Sequence, residues 1–136
     1  YISGSDQVFN PRDSKLNRFF LTFAPKDKVK ISYAASMGDP SLPEDKKLLY
    51  KEALKDFTAI SVREREAYDI ISTLTEKEVS INCDPAFLLN AKEWRDLEIP
   101  VKNLKPNEYV LCYVIHNPPY LKELLYKINY IFSLFF

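Results

Sequence analysis

Glycine is nearly absent from this chain: there are two in 136 residues, Gly4 and Gly38. That scarcity excludes the glycine-rich phosphate loops, since neither GxGxxG nor GxxxxGKS/T can be built from two glycines, and it takes support away from nucleotide binding of the usual kind. Histidine occurs once, at His116, and cysteine twice, at Cys83 and Cys112, far apart and without a CxxC or Cys/His ligand spacing. No metal site is assigned on such a set, and no disulfide framework. Both cysteines lie among apolar neighbours and are expected to be reduced core residues of a cytoplasmic protein. Net charge is absent too, with 19 basic residues against 19 acidic ones. No overall positive field is left to hold nucleic acid or an anionic membrane, so any anionic ligand must be held locally. Long hydrophobic runs are also lacking: a membrane helix needs about 20 apolar residues, and "INYIFSLFF" at the far end falls well short, with Asn129 and Ser133 inside it. It is expected to be a buried strand. The given sequence shows no signal-peptide pattern, does not begin with methionine and breaks off abruptly at both ends, so the chain is expected to be a segment of a longer polypeptide.

What is present is apolar and ordered in pattern. Hydrophobic residues make up 46% and aromatics 14%, enough to build a core rather than a disordered chain. "VKISYAAS" (residues 29–36) is rich in β-branched and aromatic residues and stops near Gly38, as a central strand does. Ser41-Leu42-Pro43-Glu44 then fits a capping box with proline in the first turn, followed by a helix whose Leu49, Ala53 and Phe57 recur at helical spacing. The unit repeats as "TAISV" with "REREAYDIISTL", and as "EVSIN" with "DPAFLLNAKEWRDL". The stretch "EIPVKNLKPNEY", with its prolines and mixed charge, reads as a linker. Beyond it "YVLCYVI", "PPYLKELLYKI" and "NYIFSLFF" read as strand, helix and strand. Alternation of this kind predicts an α/β protein with a parallel sheet flanked by helices. The expected organisation is the C-terminal part of a first domain over 1–97, a linker over 98–108 and the first strand-helix-strand unit of a truncated second domain over 109–136.

In open parallel sheets, ligands bind outside the carboxyl ends of the strands. The polar clusters fall at those ends: Ser5, Asp6, Gln7 and Asn10 after the first strand, Ser36 to Asp39 after the second, Arg63 and Glu64 after the third, Asp84 after the fourth, His116 and Asn117 after the fifth. Each residue type also caps helices and forms turns, so only the clustering favours a ligand rim. In "GSDQVFNP", Gly4 permits a close backbone approach, Ser5 or Asp6 is placed to cap, and Pro11 keeps Asn10 out of helical geometry. A carboxylate such as Asp6 accepts hydrogen bonds and repels anions, which suits a sugar hydroxyl better than a phosphate and fits a general base toward that hydroxyl. Arg63 is the anion candidate, because its planar fork pairs carboxylate or phosphate in two bonds. Glu64, Arg65 and Glu66 follow it at once, a run that usually marks a solvated helix face. His116 is of the type that exchanges protons near neutral pH, but no nucleophile or second histidine accompanies it.

"GSDQVFNP", "ISYAASMG", "ISVRE" and "CDPAFLL" followed by "EW", in that order, resemble the polysaccharide pyruvyl transferase family. The first motif usually carries Trp where this chain has Phe9, an aromatic for an aromatic. The resemblance implies two Rossmann-like domains facing each other as in GT-B glycosyltransferases, the linker joining them. It implies phosphoenolpyruvate as donor, no cofactor, and a sugar of a cell-surface polysaccharide or a lipid-linked oligosaccharide precursor as acceptor, in the cytoplasm or at the inner face of the membrane. On this view Asp6 is the catalytic base, Ser5, Gln7, Asn10, Ser36, Arg63 and Asp84 bind substrate, and the main donor-binding groups belong to the second domain. Two other readings stand beside it: a non-catalytic sugar-binding or interaction module using the same rim, and a GT-B glycosyltransferase using a nucleotide sugar.

Overall fold

The computed structural model describes residues 1–102, 109–115 and 118–135. The chain divides into two compact units, Tyr1–Leu97 and Glu98–Phe136.

The first unit is a four-stranded sheet with every neighbouring pair parallel and the strands in sequential order. β1 is Ile2–Ser3, β2 Ile31–Ala35, β3 Ala59–Val62 and β4 Val79–Ile81. The helices α1 (Leu16–Phe19), α2 (Glu44–Leu54) and α3 (Arg65–Ile71) lie in the connections, and a 3₁₀ turn (Pro85–Leu88) and α4 (Ala91–Asp96) follow β4. Ile2, Ile31 and Ala59 stand in register across three strands, as do Ser3, Ser32, Ile60 and Val79 across four. A register shift between Ser32 and Ala35 bends β2, and there Ser61 on β3 fills the ladder: its hydroxyl accepts from the Ala34 amide (2.9 Å) and donates to the Ser32 carbonyl (3.1 Å).

Sequential order and one hand of crossover put the connections on one face of the sheet. The core lies there, built on an aromatic cluster in which Phe9 meets Phe20 at 5.1 Å and Phe57 at 6.0 Å, while Phe20 meets Tyr50 at 4.9 Å. Leu54, Val62, Ala67 and Ile71 complete it, all fully buried. The Tyr50 hydroxyl, sealed in this core, donates to the Phe9 carbonyl at 2.6 Å, and burial pushes its pKa well above the ordinary tyrosine value. That bond ties the loop after β1 to α2, so the core itself fixes the height of the "GSDQVFNP" loop.

Several expectations need correction. The capping box at Ser41 does not form: α2 starts at Glu44 behind Pro43 with no side-chain cap, and Ser41 donates instead from its amide (3.0 Å) and hydroxyl (2.9 Å) to Asp39. A capping box does form at Asn90 and Glu93, opening α4. Leu49 and Ala53 are only partly buried, and the inward face of α2 is Tyr50 and Leu54. Cys83 and Cys112, expected in the core, are both exposed, Cys83 because it lies in the loop beyond edge strand β4.

In the second unit the residues of "YVLCYVI" form no strand, and the terminal run is helix, α5, Leu121–Phe135. Leu121, Leu124, Leu125 and Ile128 already mark helical spacing, and Ile131, Phe132 and Phe135 continue it, so the run extends an amphipathic helix rather than opening a strand. Glu123 and Lys127 pair across one turn at 2.6 Å. With that run helical, the stretch before it loses its expected strand partner, and a single strand does not stand alone in water.

Candidate functional site

The carboxyl ends of the four strands are knitted together by the side chains that follow them. Ser36, just past β2, receives the loop after β1 on its backbone: its amide donates to the Asp6 carbonyl (3.1 Å) and its carbonyl accepts from the Phe9 amide (2.9 Å). Two glycines make this fit possible. Gly4 has φ +144°, and a Cβ there would stand 1.9 Å from the Tyr33 carbonyl oxygen, so its missing side chain makes room for β2. Gly38 has φ +59°, and a Cβ there would stand 2.3 Å from Cδ of Gln7, so it makes room for a side chain of the first loop.

Asp84 is the hub of the rim. Its Oδ1 accepts from the Ala86 amide (3.0 Å), capping the 3₁₀ turn, while its Oδ2 accepts from the Ser5 hydroxyl (3.1 Å) and from Nη1 of Arg63 (2.9 Å). The backbone bond from Ala86, then Arg63 and Ser5, hold its carboxyl below the usual carboxylate range against the opposing effect of partial burial. β1 and β4 are opposite edges of the sheet, roughly 14 Å apart at about 4.8 Å per strand. Contact between Ser5 and Asp84 therefore requires the loop after β4 to run back across the strand tips. A groove of about 330 Å³, lined by Ile2, Gly4, Ser5, Ile31, Tyr33, Pro85 and Leu88, marks where that loop comes down over β1 and β2.

The remaining positions group around this hub. The Asn10 side-chain amide donates to Oε1 of Gln7 (3.0 Å), and its own Oδ1 accepts from the Arg12 amide (2.9 Å). Asp6 is exposed, and its carboxylate accepts from the Gln7 amide (2.8 Å) within its own loop. The Ser36 hydroxyl donates to Glu64 (3.0 Å) and accepts from the Gly38 amide (3.1 Å). Arg12 pairs with Asp39 at 2.7 Å, and bonds from Ser41 foremost hold the Asp39 carboxyl below its ordinary range. The rim thus brings Ser5, Arg63 and Asp84 into direct contact, joins Ser36 to the loop of Asp6, Gln7 and Asn10 through backbone bonds, and leaves the Asp6 carboxylate open to solvent. His116 and Asn117 lie outside the described residues.

The charge run after β3 divides in two. Arg63 and Glu64 face the rim, whereas Arg65 pairs with Asp69 along α3 at 3.1 Å and lies over the Tyr68 ring at 5.0 Å. Glu64 stands at the strand end where the polar clusters place it, but sequence alone gives it no role there, because its bonds to Ser36 and to the Met37 amide (2.6 Å) depend on the tertiary approach of β2 to β3. Among the described residues, no group of three or more His, Cys, Asp or Glu is placed to hold a metal ion, and no helix is long and apolar enough to cross a membrane.

A parallel α/β sheet whose strand tips collect hydroxyl, amide and carboxylate groups around one clamped guanidinium defines a protein of the α/β class with a polar rim at the carboxyl edge of its sheet. The family model for polysaccharide pyruvyl transferase matches residues 1–134, nearly the whole chain, and the chain belongs to that family. This is the family that the four ordered motifs resemble. No curated protein and no solved structure matches the chain.

Proposed function

We propose that this chain forms part of an enzyme that transfers the pyruvyl unit of phosphoenolpyruvate onto two hydroxyls of a sugar, giving a cyclic ketal. The acceptor in this reading is a residue of a cell-surface polysaccharide or its lipid-linked precursor, met in the cytoplasm or at the inner face of the membrane. The rest of the site belongs to a second Rossmann-like half in a GT-B-like arrangement. The observation that carries the reading is the family match over residues 1–134.

The reaction makes definite demands. The methylene carbon of the donor takes a proton and becomes the methyl group. One sugar oxygen bonds to the adjacent carbon, the C–O bond to phosphate breaks, and the second sugar oxygen closes the ketal. Of the two hydroxyl protons released, one balances that taken up by carbon and the other leaves with phosphate. A base must therefore stand beside the hydroxyls, and cations beside the carboxylate and phosphate. Asp6, exposed at the first strand tip, is assigned the base, with Gln7 and Asn10 of the same loop as acceptor-binding partners and Ser36, buried and bonded to Glu64, holding that loop in place. Arg63, clamped by Asp84 with Ser5, is assigned to the anionic donor.

The test uses the natural polypeptide that carries this sequence. Phosphate release from phosphoenolpyruvate is expected to depend on a sugar acceptor. Asp6→Asn is expected to lower kcat by about 10²-fold, the range of a lost general base, while leaving the melting temperature in place because the side chain bonds only within its own loop. Unchanged turnover in that variant removes Asp6 from the reaction, and release that ignores the acceptor removes the transfer reading.

A further inference from the structure

Glu64 stands immediately before α3, at its N-cap, with an extended backbone (φ −122°, ψ 156°), yet its side chain makes no cap to its own helix. It reaches instead across to the rim of β2. Oε1 accepts from the Ser36 hydroxyl at 3.0 Å and from the Met37 amide at 2.6 Å, and Oε2 stands 4.0 Å from Nε of Arg63. Arg63 meets a second carboxylate on its other side, with Nη1 donating to Asp84 at 2.9 Å. Its side chain is 32% exposed, so the guanidinium is flanked on two edges and still open to solvent. The orientation of a guanidinium matters because its donors form a rigid planar fork that matches an anion only when the plane is correctly turned. An arginine on a flexible stem, held from one side alone, rotates about its remaining bonds. Glu64, anchored by two bonds to the end of the neighbouring strand, holds a fixed negative charge 4.0 Å from Nε, beyond hydrogen-bond reach, which biases that rotation electrostatically.

We propose that Glu64 is a positioning residue of the transfer site, locking the rim of β2 to that of β3 and, with Asp84, fixing the plane of the Arg63 guanidinium for the anionic donor. This rests on the pyruvyl-transfer reading above. It assigns Glu64 no contact with substrate; its effect passes through Arg63.

The sign of one experiment separates this role from a plain charge effect. In Glu64→Gln the amide oxygen still accepts from Ser36 and Met37, so the fold and the β2 loop persist, but the negative charge facing Arg63 is gone. Electrostatics alone would then favour an anionic donor and lower its KM. Loss of orientation raises it. In the natural full-length polypeptide, Glu64→Gln is expected to raise KM for phosphoenolpyruvate about three- to tenfold, with kcat and melting temperature little changed. In an Arg63→Lys background, which has no planar fork to orient, the same change is expected to move KM by less than about twofold, a non-additive cycle. Glu66→Gln, an equal charge change one residue pair further along α3 at an exposed position, is expected to behave as wild type. A KM that falls or stays level in Glu64→Gln, or a cycle that is additive, overturns the positioning role and leaves pyruvyl transfer standing. A wild-type protein that releases no phosphate from phosphoenolpyruvate with any sugar acceptor overturns both.

Discussion

Asp84 illustrates how a residue type that caps turns can serve a site without ceasing to cap. One oxygen closes the 3₁₀ turn on Ala86, and the other joins Ser5 to Arg63. From sequence its position after a strand and before Pro85 was legible, and so was Arg63 at the next strand tip, because both follow the point where an apolar run stops. Their mutual contact was not, since it spans 21 residues and depends on β3 and β4 pairing as neighbours so that their tips meet. The bonding has a pH signature. The Asp84 carboxyl is held low in the folded chain, first by the Ala86 amide and then by Arg63, so the unfolded chain binds the proton more readily. The stabilisation is complete above the unfolded aspartate value of about 3.9 and is lost as pH falls through the lower folded one. Asp84→Asn keeps an acceptor oxygen but has no charge to lose. Thermal melts are therefore expected to show wild type more stable than Asp84→Asn by a margin that is steady from about pH 7 to about pH 5 and shrinks below about pH 4. A margin that does not change with pH would mean that the carboxylate charge contributes nothing to the clasp.

The elements were legible where a local signal sufficed. Each of the first four strands is a short run ended by Gly, Arg, Asn or a polar cluster, and the sequence pattern locates all four together with their parallel sense. It failed at "NYIFSLFF", where an apolar run too short to show its period was read apart from the helix it continues. It also could not see how α2 ends. No glycine closes that helix; instead Lys77, from the segment between α3 and β4, donates its ammonium to the carbonyls of Leu54 (3.2 Å), Lys55 (2.6 Å) and Phe57. The Leu54 and Lys55 carbonyls are ones that a helix terminus leaves without intrahelical partners, and a cation there also meets the negative end of the helix dipole. Nothing near residue 55 announces a partner 22 positions away. Lys77→Met keeps the aliphatic stem and removes all three bonds, and it is expected to cost about 1–2 kcal/mol. Urea unfolding followed by circular dichroism should show a lower midpoint with an unchanged slope. An unchanged midpoint would show that water replaces the ammonium without loss.

At the scale of the whole fold, the sheet of the Tyr1–Leu97 unit is two-faced in chemistry as well as topology. The connections bury Phe9, Phe20, Tyr50 and Phe57 on one side, while on the other Ile2 is 69% exposed and borders the apolar groove beneath Pro85 and Leu88. The two sides should therefore answer opposite questions. Removing a ring from the packed side leaves a cavity in a close-packed interior, so Phe57→Ala is expected to cost about 3–5 kcal/mol. Replacing an apolar side chain on the open side removes no packed contacts of that kind, so Ile2→Lys is expected to change stability by less than about 0.5 kcal/mol, as surface substitutions do. It should, however, charge a surface that attracts apolar probes, because contiguous exposed apolar groups bind hydrophobic dyes in water. Ile2→Lys combined with Leu88→Lys, placed on two sides of the groove, is expected to lower the fluorescence of the dye ANS mixed with the chain while the far-ultraviolet spectrum stays the same. If the pair instead costs as much stability as is expected of Phe57→Ala, the groove face is part of the core, and the assignment of all the packing to one side of the sheet is wrong. The rim residues sit at the edge between these faces, anchored to the packed side through Tyr50 and Phe9, which is why the strand tips can carry exposed polar groups without drawing on the groove for their stability.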